Sequence, residues 1–149
     1  MSKVSDMLDS KYPEVWSIKA TDSVYRAIEV MAEKEVGALP VLNDSGGLVG
    51  IVSERDYARK VILKNKSSKN TLVSEIMTRD IVFVSEDTTV DRCMSLMSQK
   101  KIRHLPVMAD ETLVAIINIA DVLKFNITEQ SMTIEELESY IKGETGGSG

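Results

Sequence analysis

The sequence has few of the residues from which disulfides, metal sites and nucleophilic active sites are built. Its 149 residues include one cysteine, Cys93, and one histidine, His104. One cysteine excludes an internal disulfide and fits a reducing compartment, and one histidine leaves no set of zinc ligands. Cys93 falls on the apolar face of a predicted helix, so we expect a buried, unreactive thiol. The sequence offers no Ser-His-Asp set and no phosphate loop of the Walker type, so we expect no enzymatic activity.

Long apolar runs and an excess of positive charge are also missing. No apolar run approaches the ~20 residues that a membrane-spanning helix needs. The first ten residues mix charged and apolar side chains, which does not fit a signal peptide. The net charge is −5, and this argues against a broad nucleic-acid footprint. We therefore expect a cytoplasmic protein that binds neither a membrane nor nucleic acid.

What the sequence does contain is an internal repeat. VSDML, which begins at Val4, matches VSEIM at Val73, and ALPV at Ala38 matches HLPV at His104, with offsets of 69 and 66 residues. The segment 48–56 matches 113–121 at an offset of 65. Small changes in offset are typical of short insertions in loops. A buried helical stripe also repeats: Val24, Ala27, Ile28 and Met31 correspond to Val90, Cys93, Met94 and Met97.

Each half predicts the same order of elements, β-α-β-β-α, after a short N-terminal helix. The predicted strands include 15–18 and 81–84, the predicted long helices are 23–35 and 89–100, and a further helix follows Ser53. Thr21 or Asp22 is expected to cap the first long helix, and Asp87 or Thr88 the second. A unit of roughly 60 residues buries little core alone, so the halves should pack together. The predicted divisions are repeat 1 (1–63), a polar linker (64–70), repeat 2 (71–128), a C-terminal helix (129–143) and a flexible tail (144–149).

Ser53 and Asp56 stand where a buried strand meets a helix, and this pair allows two interpretations. Ser53 is placed to cap the helix, with Asp56 as the acidic member of a capping box. The same hydroxyl and carboxylate are also suited to binding the hydroxyl groups of a sugar. The two interpretations are compatible, since a cap can also face a ligand.

Taken in order, these duplicated motifs resemble a CBS-domain pair, or Bateman module, the tandem unit named after cystathionine beta-synthase. The resemblance runs from Val4 to about Ile127 and rests on the paired segments VSDML and VSEIM, GALPV and RHLPV, and GIVSERD and AIINIAD. It implies an α/β (α+β) fold. Two pseudo-symmetric β-α-β-β-α repeats would pack sheet to sheet, with a short C-terminal helix and two clefts between them. Such clefts commonly bind AMP, ADP, ATP, S-adenosylmethionine or NAD.

The resemblance implies one complete cleft. It assigns the ribose to Gly50, Ser53 and Asp56, the adenine to Thr78, Asp80, Ile81 and Val82, and the phosphates to Arg103 and His104. The chemistry of these residue types agrees, because a guanidinium suits phosphate oxygens and phosphate favours a charged imidazole. The alternatives are a surface ion pair for Arg103 and a satisfied strand histidine for His104.

The second cleft is expected to be degenerate. Ala115 replaces the glycine and Asn118 the hydroxyl residue, although Asp121 remains. This cleft should therefore be empty, weak or selective for an uncharged adenosine-like group. Its implied residues are Val15, Trp16, Gly37, Ala38, Asn118 and Asp121.

These features predict a regulatory, energy-sensing module that binds AMP, ADP or ATP, or else NAD or S-adenosylmethionine. No cofactor should be required, and Mg²⁺ would be present only if the nucleotide carries it. A homodimer and an unidentified regulated partner protein are expected. The alternative is a ligand-independent structural, dimerisation or protein-interaction module.

Overall fold

The chain forms two three-stranded sheets with helices between the strands. A computed structural model describes residues 1–8 and 14–130. The first set of elements is α1 (Val4–Leu8), β1 (Ile18–Lys19), α2 (Val24–Lys34), β2 (Ala38–Leu42), β3 (Leu48–Ser53) and α3 (Glu54–Tyr57), which continues as a π-helical turn over Ala58–Ile62. The second set is α4 (Val73–Ile76), β4 (Val84–Ser85), α5 (Val90–Lys100), β5 (His104–Ala109), β6 (Thr112–Asn118) and α6, helical over residues 119–130. The predicted C-terminal helix (129–143), apart from its first two residues, and the predicted tail (144–149) lie outside the described residues.

The two sheets have the same topology, which confirms the predicted β-α-β-β-α repeat. In each sheet the first two strands are parallel and the last two antiparallel, in the orders β1-β2-β3 and β4-β5-β6. A parallel pair needs a crossover, and α2 and α5 supply it. The hairpin register also shifts at matching points, after Val41 in one sheet and after Val107 in the other.

Both crossover helices bury the apolar stripe that the sequence predicted, and both begin one or two residues later than the predicted caps. Ser23 and Thr89 are the N-caps, and each side chain accepts a hydrogen bond of 3.1 Å from the backbone N–H three residues on. Asp22 and Thr88 accept backbone N–H groups of the preceding turn instead. Cys93 is fully buried on α5, and burial raises the pKa of its thiol, as expected for an unreactive cysteine.

The predicted strands 15–18 and 81–84 are wrong in extent, because β1 and β4 have only two residues each. Val84 pairs with Val107 in parallel register, so Ile81 would be level with His104 if the strand continued backwards. Ile81 and His104 instead line a cavity. The chain leaves the sheet at this point, and no ladder of hydrogen bonds forms.

The short helices are exchanged between the two repeats. Val73 of α4 is buried in the core of the first sheet, and Val4 of α1 is buried in the core of the second. Matching backbone hydrogen bonds hold them: the Val73 N–H donates to the Asp22 carbonyl at 2.9 Å, and the Val4 N–H donates to the Thr88 carbonyl at 2.8 Å. Each repeat thus contributes its first short helix to the hydrophobic core of the other repeat. The exchange holds the two repeats together and so fixes the relative positions of the residues at their junction.

Candidate functional site

A cavity of about 760 Å³ lies where residues of the two repeats meet. This volume is within the range typical of small-molecule sites. Eight of the nine residues predicted for the first cleft line it. They are Ser53, Asp56, Thr78, Asp80, Ile81, Val82, Arg103 and His104.

Ser53 and Asp56 form the predicted capping box at the start of α3. The Ser53 hydroxyl accepts the Asp56 N–H at 3.1 Å, and the Asp56 carboxylate accepts the Ser53 N–H at 3.0 Å. The Ser53 hydroxyl also lies 3.1 Å from the same carboxylate oxygen, Oδ2. Both side chains line the cavity. The cap therefore presents a hydroxyl and a carboxylate to the space between the repeats.

The second carboxylate oxygen of Asp56 is bound by Lys60, one helical turn further along. Lys60 Nζ lies 3.0 Å from Asp56 Oδ1 and donates to the backbone carbonyl of Ile76 at 2.9 Å. The Asp56 side chain is only 14% exposed. Because Ile76 ends α4, which leads into the opposite wall of the cavity, Lys60 connects the two walls.

A pair of backbone hydrogen bonds places Thr78 against β3. The Ile51 N–H donates to the Thr78 carbonyl at 3.0 Å, and the Thr78 N–H donates to the Ile51 carbonyl at 2.8 Å. Gly50 makes this approach possible, since a Cβ there would lie 2.7 Å from Met77 Sδ and 3.0 Å from the Thr78 carbonyl oxygen. Gly50 is buried behind the cavity wall and does not line it. Contact between Gly50 and a ligand stays a prediction.

His104 lies at the middle of the junction, beside Gly37 of the other repeat. A Cβ on Gly37 would come within 3.6 Å of the His104 ring. Burial lowers the pKa of His104 and the charge of Arg103 lowers it further, while Asp121 and then Glu54 oppose them. The unliganded histidine is therefore mostly neutral at pH 7, since its ordinary pKa is about 6.5.

The six residues predicted for the second cleft are divided between this cavity and other parts of the described chain. Gly37 and Ala38 line it along with the first-cleft residues, whereas the other four do not. Trp16 packs against the first core and has Lys34 Nζ 4.1 Å from its ring centroid. Asn118 and Asp121 form the equivalent capping box, with hydrogen bonds of 2.8 and 3.3 Å. The fourth residue is Val15, which is half-buried.

Three basic residues of the lining were missed from the sequence: Arg55, Arg59 and Lys101. Arg55 and Arg59 are four residues apart on the helix that begins at Ser53, and that spacing puts side chains on one face. Their proximity to Asp56 could have been read from the predicted helix. Lys101 ends α5 with a positive φ of 55°, and nothing in the sequence marks that geometry.

A family model, "CBS domain", matches residues 4–63 and 73–127. The chain belongs to the CBS-domain family. Over 94% of its length it is 37% identical to the "CBS domain-containing protein CBSX3, mitochondrial" of Arabidopsis thaliana, and the match covers 72% of that relative. A second relative, CBSCBSPB5 of the same plant, is 33% identical over 80% of the chain, but the match covers only 22% of that protein. The CBS pair thus occurs both as most of a protein and as a small part of one.

Solved CBS structures agree with the fold. A protein with CBS domains from Burkholderia ambifaria MC40-6 is 42% identical, with a TM-score of 0.82, and the match covers 87% of this chain and 96% of that one. CBSX2 in complex with AMP is 29% identical, with a TM-score of 0.70 and coverage of 87% and 99%. The CBS pair of MJ0100, in complex with 5′-methylthioadenosine and S-adenosyl-L-methionine, is 28% identical, with a TM-score of 0.71 and coverage of 83% and 98%. CBS pairs of this fold therefore bind adenosyl ligands.

The described part of the chain contains neither a candidate metal site nor a candidate membrane span. Within residues 1–8 and 14–130, no three His, Cys, Asp or Glu side chains are grouped so that they could hold a metal ion. No helix among the same residues is both long enough and apolar enough to cross a membrane.

Proposed function

We propose that this protein is a regulatory module that binds an adenine nucleotide in the cavity between its repeats. The observation that carries the proposal is the position of the Ser53–Asp56 cap. It faces the same cavity as Thr78 and Arg103 of the other repeat. A ligand that spans the cavity would contact both repeats at once.

Each part of a nucleotide has a suitable partner in the lining. Asp56 accepts hydrogen bonds from ribose hydroxyls, and Ser53 beside it can donate or accept. Ile81 and Val82 offer apolar surface to a flat base. Arg103 and His104 would bind the phosphate nearest the ribose, the first as a planar guanidinium and the second as a donor that becomes charged on binding.

Signalling would follow from the position of the ligand between the repeats. Occupancy favours whichever arrangement of the repeats it fits best, and a partner protein reads the difference. We infer a cytoplasmic homodimer in which an apolar face of α6 packs on a second copy. Ile119, Leu123 and Ile127 are four residues apart on that helix and are exposed.

A thermal-shift screen tests the proposal, with AMP, ADP, ATP, NAD, S-adenosylmethionine and adenosine as ligands. A ligand that binds only the folded state raises the melting temperature, by an amount that grows with the logarithm of its concentration once that exceeds Kd. We expect at least one adenine nucleotide to raise it and GMP at the same concentration to leave it unchanged. Mass spectrometry of the purified protein should reveal a retained nucleotide if the affinity is high.

The second candidate is a ligand-independent dimerisation module. It is favoured by the internal hydrogen bonds of Asp56, because both carboxylate oxygens already have partners in the unliganded chain. Equilibrium sedimentation of the dimer with and without AMP, together with the screen above, separates the two. A dimer that forms equally well under both conditions, with no ligand raising the melting temperature, would establish the second candidate instead.

A further inference from the structure

Four basic side chains line the cavity, in a chain whose net charge is −5. Arg55 and Arg59 come from the first repeat, and Lys101 and Arg103 from the second. A cluster of cations in an acidic protein costs electrostatic energy unless anions offset it. The cavity therefore brings convergent positive charge, on four exposed side chains, to an open cleft.

None of these four cations has a carboxylate partner in the described chain. In the described chain, the cations that lie within 4.0 Å of a carboxylate are Lys3, Arg26 and Lys60. The carboxylates of the lining are Glu54, Asp56 and Asp80. Of these, Asp56 is already paired with Lys60, which is not part of the lining. Four free cations then face two free carboxylates, and a bound anion would correct the imbalance.

Arg103 and His104 provide enough donors to bind a single phosphate group. Arg55 and Arg59 are therefore available to bind further negative charge. Both project from the helix that follows the Ser53–Asp56 cap, at a spacing that brings side chains to one face. The π-helical turn over Ala58–Ile62 contains Arg59, and such turns occur often at functional sites. Two guanidinium groups on one face are suited to adjacent phosphate groups, since each can bind two oxygens.

We propose that the cavity selects an adenosine ligand that carries at least a diphosphate, and that Arg55 and Arg59 bind the phosphates beyond the first. The inference rests on the proposed function. ADP, ATP and NAD share the adenosine diphosphate group, and all three would satisfy it. The sulfonium of S-adenosylmethionine is a cation, and the same four side chains would repel it.

Calorimetric titrations with AMP, ADP, ATP and NAD at one fixed ionic strength test the inference, with and without Mg²⁺. We expect ADP and ATP to bind about tenfold more tightly than AMP, the gain of one charged hydrogen-bonded contact. NAD should bind as tightly as ADP, because it carries the same adenosine diphosphate group.

Arg55→Gln and Arg59→Gln separate the diphosphate contacts from the rest of the site. Each should lower the ADP affinity about tenfold and change the AMP affinity by less than about twofold. Arg92→Gln is the matched control, because it removes one exposed positive charge from α5 outside the cavity, and it should change neither. Melting temperatures of the free variants should equal that of the parent protein, since both cavity arginines are exposed.

Two results would overturn the inference while leaving the proposed function in place. One is AMP binding as tightly as ADP and ATP. The other is an equal loss of AMP and ADP affinity in the Arg55 and Arg59 variants. Failure of every adenine nucleotide to bind the parent protein would overturn both the inference and the proposed function.

Discussion

Lys60 and Asp56 form an ion pair of 3.0 Å, and the same ammonium group reaches the carbonyl of Ile76 at 2.9 Å. One side chain thus holds the Asp56 carboxylate and the end of α4 together. Asp56 is fixed in position by three backbone or side-chain partners before any ligand arrives. Such preorganisation reduces the ordering that binding requires.

Lys60→Met should lower the affinity for a nucleotide clearly and the free energy of unfolding only slightly. Lys60 is 45% exposed, so its ion pair should contribute at most about 1 kcal/mol to the free energy of unfolding. The carboxylate of Asp56 becomes free to rotate in the variant, and we expect the AMP affinity to fall by about three- to tenfold. Lys64→Met, an exposed lysine just beyond the helix, is the control for both measurements. A loss of stability with unchanged affinity would contradict this role.

Gly50→Ala should destabilise the protein by roughly 1–3 kcal/mol, because the added methyl group overlaps Met77 Sδ and the Thr78 carbonyl. Urea unfolding measures the loss. Gly37→Ala is the control, since its Cβ would meet the His104 ring at an ordinary contact distance of 3.6 Å, and its stability should change by less. Equal stability of Gly50→Ala and the parent protein would show that Thr78 does not depend on this close approach.

The affinity for a phosphate-bearing ligand should rise as the pH falls. In the free protein the pKa of His104 is below its ordinary value. A bound phosphate raises that pKa. At a pH between the free-state and bound-state pKa values, ligand binding therefore takes up a proton. At a pH above the bound-state pKa, and likewise at a pH below the free-state pKa, the affinity no longer depends on pH through His104. Each unit of difference between the two corresponds to about tenfold in affinity.

AMP titrations over the range from pH 5 to 8, compared with His104→Gln, measure this dependence. The phosphate of the ligand also titrates near pH 6, but it does so equally with both proteins and cancels in the comparison. Adenosine, which lacks phosphate, should bind with no dependence on His104. A parent protein and variant with the same pH profile for AMP would place His104 outside the phosphate site.

Much of the fold follows from the sequence because the repeat marks every element twice. Periodicity alone was enough to predict the buried helical stripes that include Val24 and Val90. It was also enough to predict the paired Leu-Pro-Val strands. The exchange of α1 and α4 between the cores did not follow, since an apolar Val4 or Val73 is equally compatible with burial against either repeat. Sequence spacing gives the order of elements and leaves open which of two similar cores a short helix joins.

The site was predictable to the extent that the two copies differ. Ser53 and Asp56 stood out against Asn118 and Asp121, and the structure shows that both pairs are capping boxes. The close approach of Gly50 to the Thr78 carbonyl could not be predicted, because a glycine beside a ligand and a glycine beside a neighbouring backbone look the same in a sequence. Arg55 was passed over because a charged residue in the first turn of a helix is usually no more than solvated surface.

The most direct test of the account is a calorimetric titration of AMP into the parent protein, Asp56→Asn and Asp121→Asn. Both variants lose one carboxylate from equivalent capping boxes, so Asp121→Asn controls for the loss of a cap, while Asp56→Asn also loses the ion pair with Lys60. We expect AMP to bind the parent protein, with a loss of affinity of at least about tenfold in Asp56→Asn and a change of less than about twofold in Asp121→Asn. Equal affinities in all three proteins, or no binding to the parent protein, would contradict it.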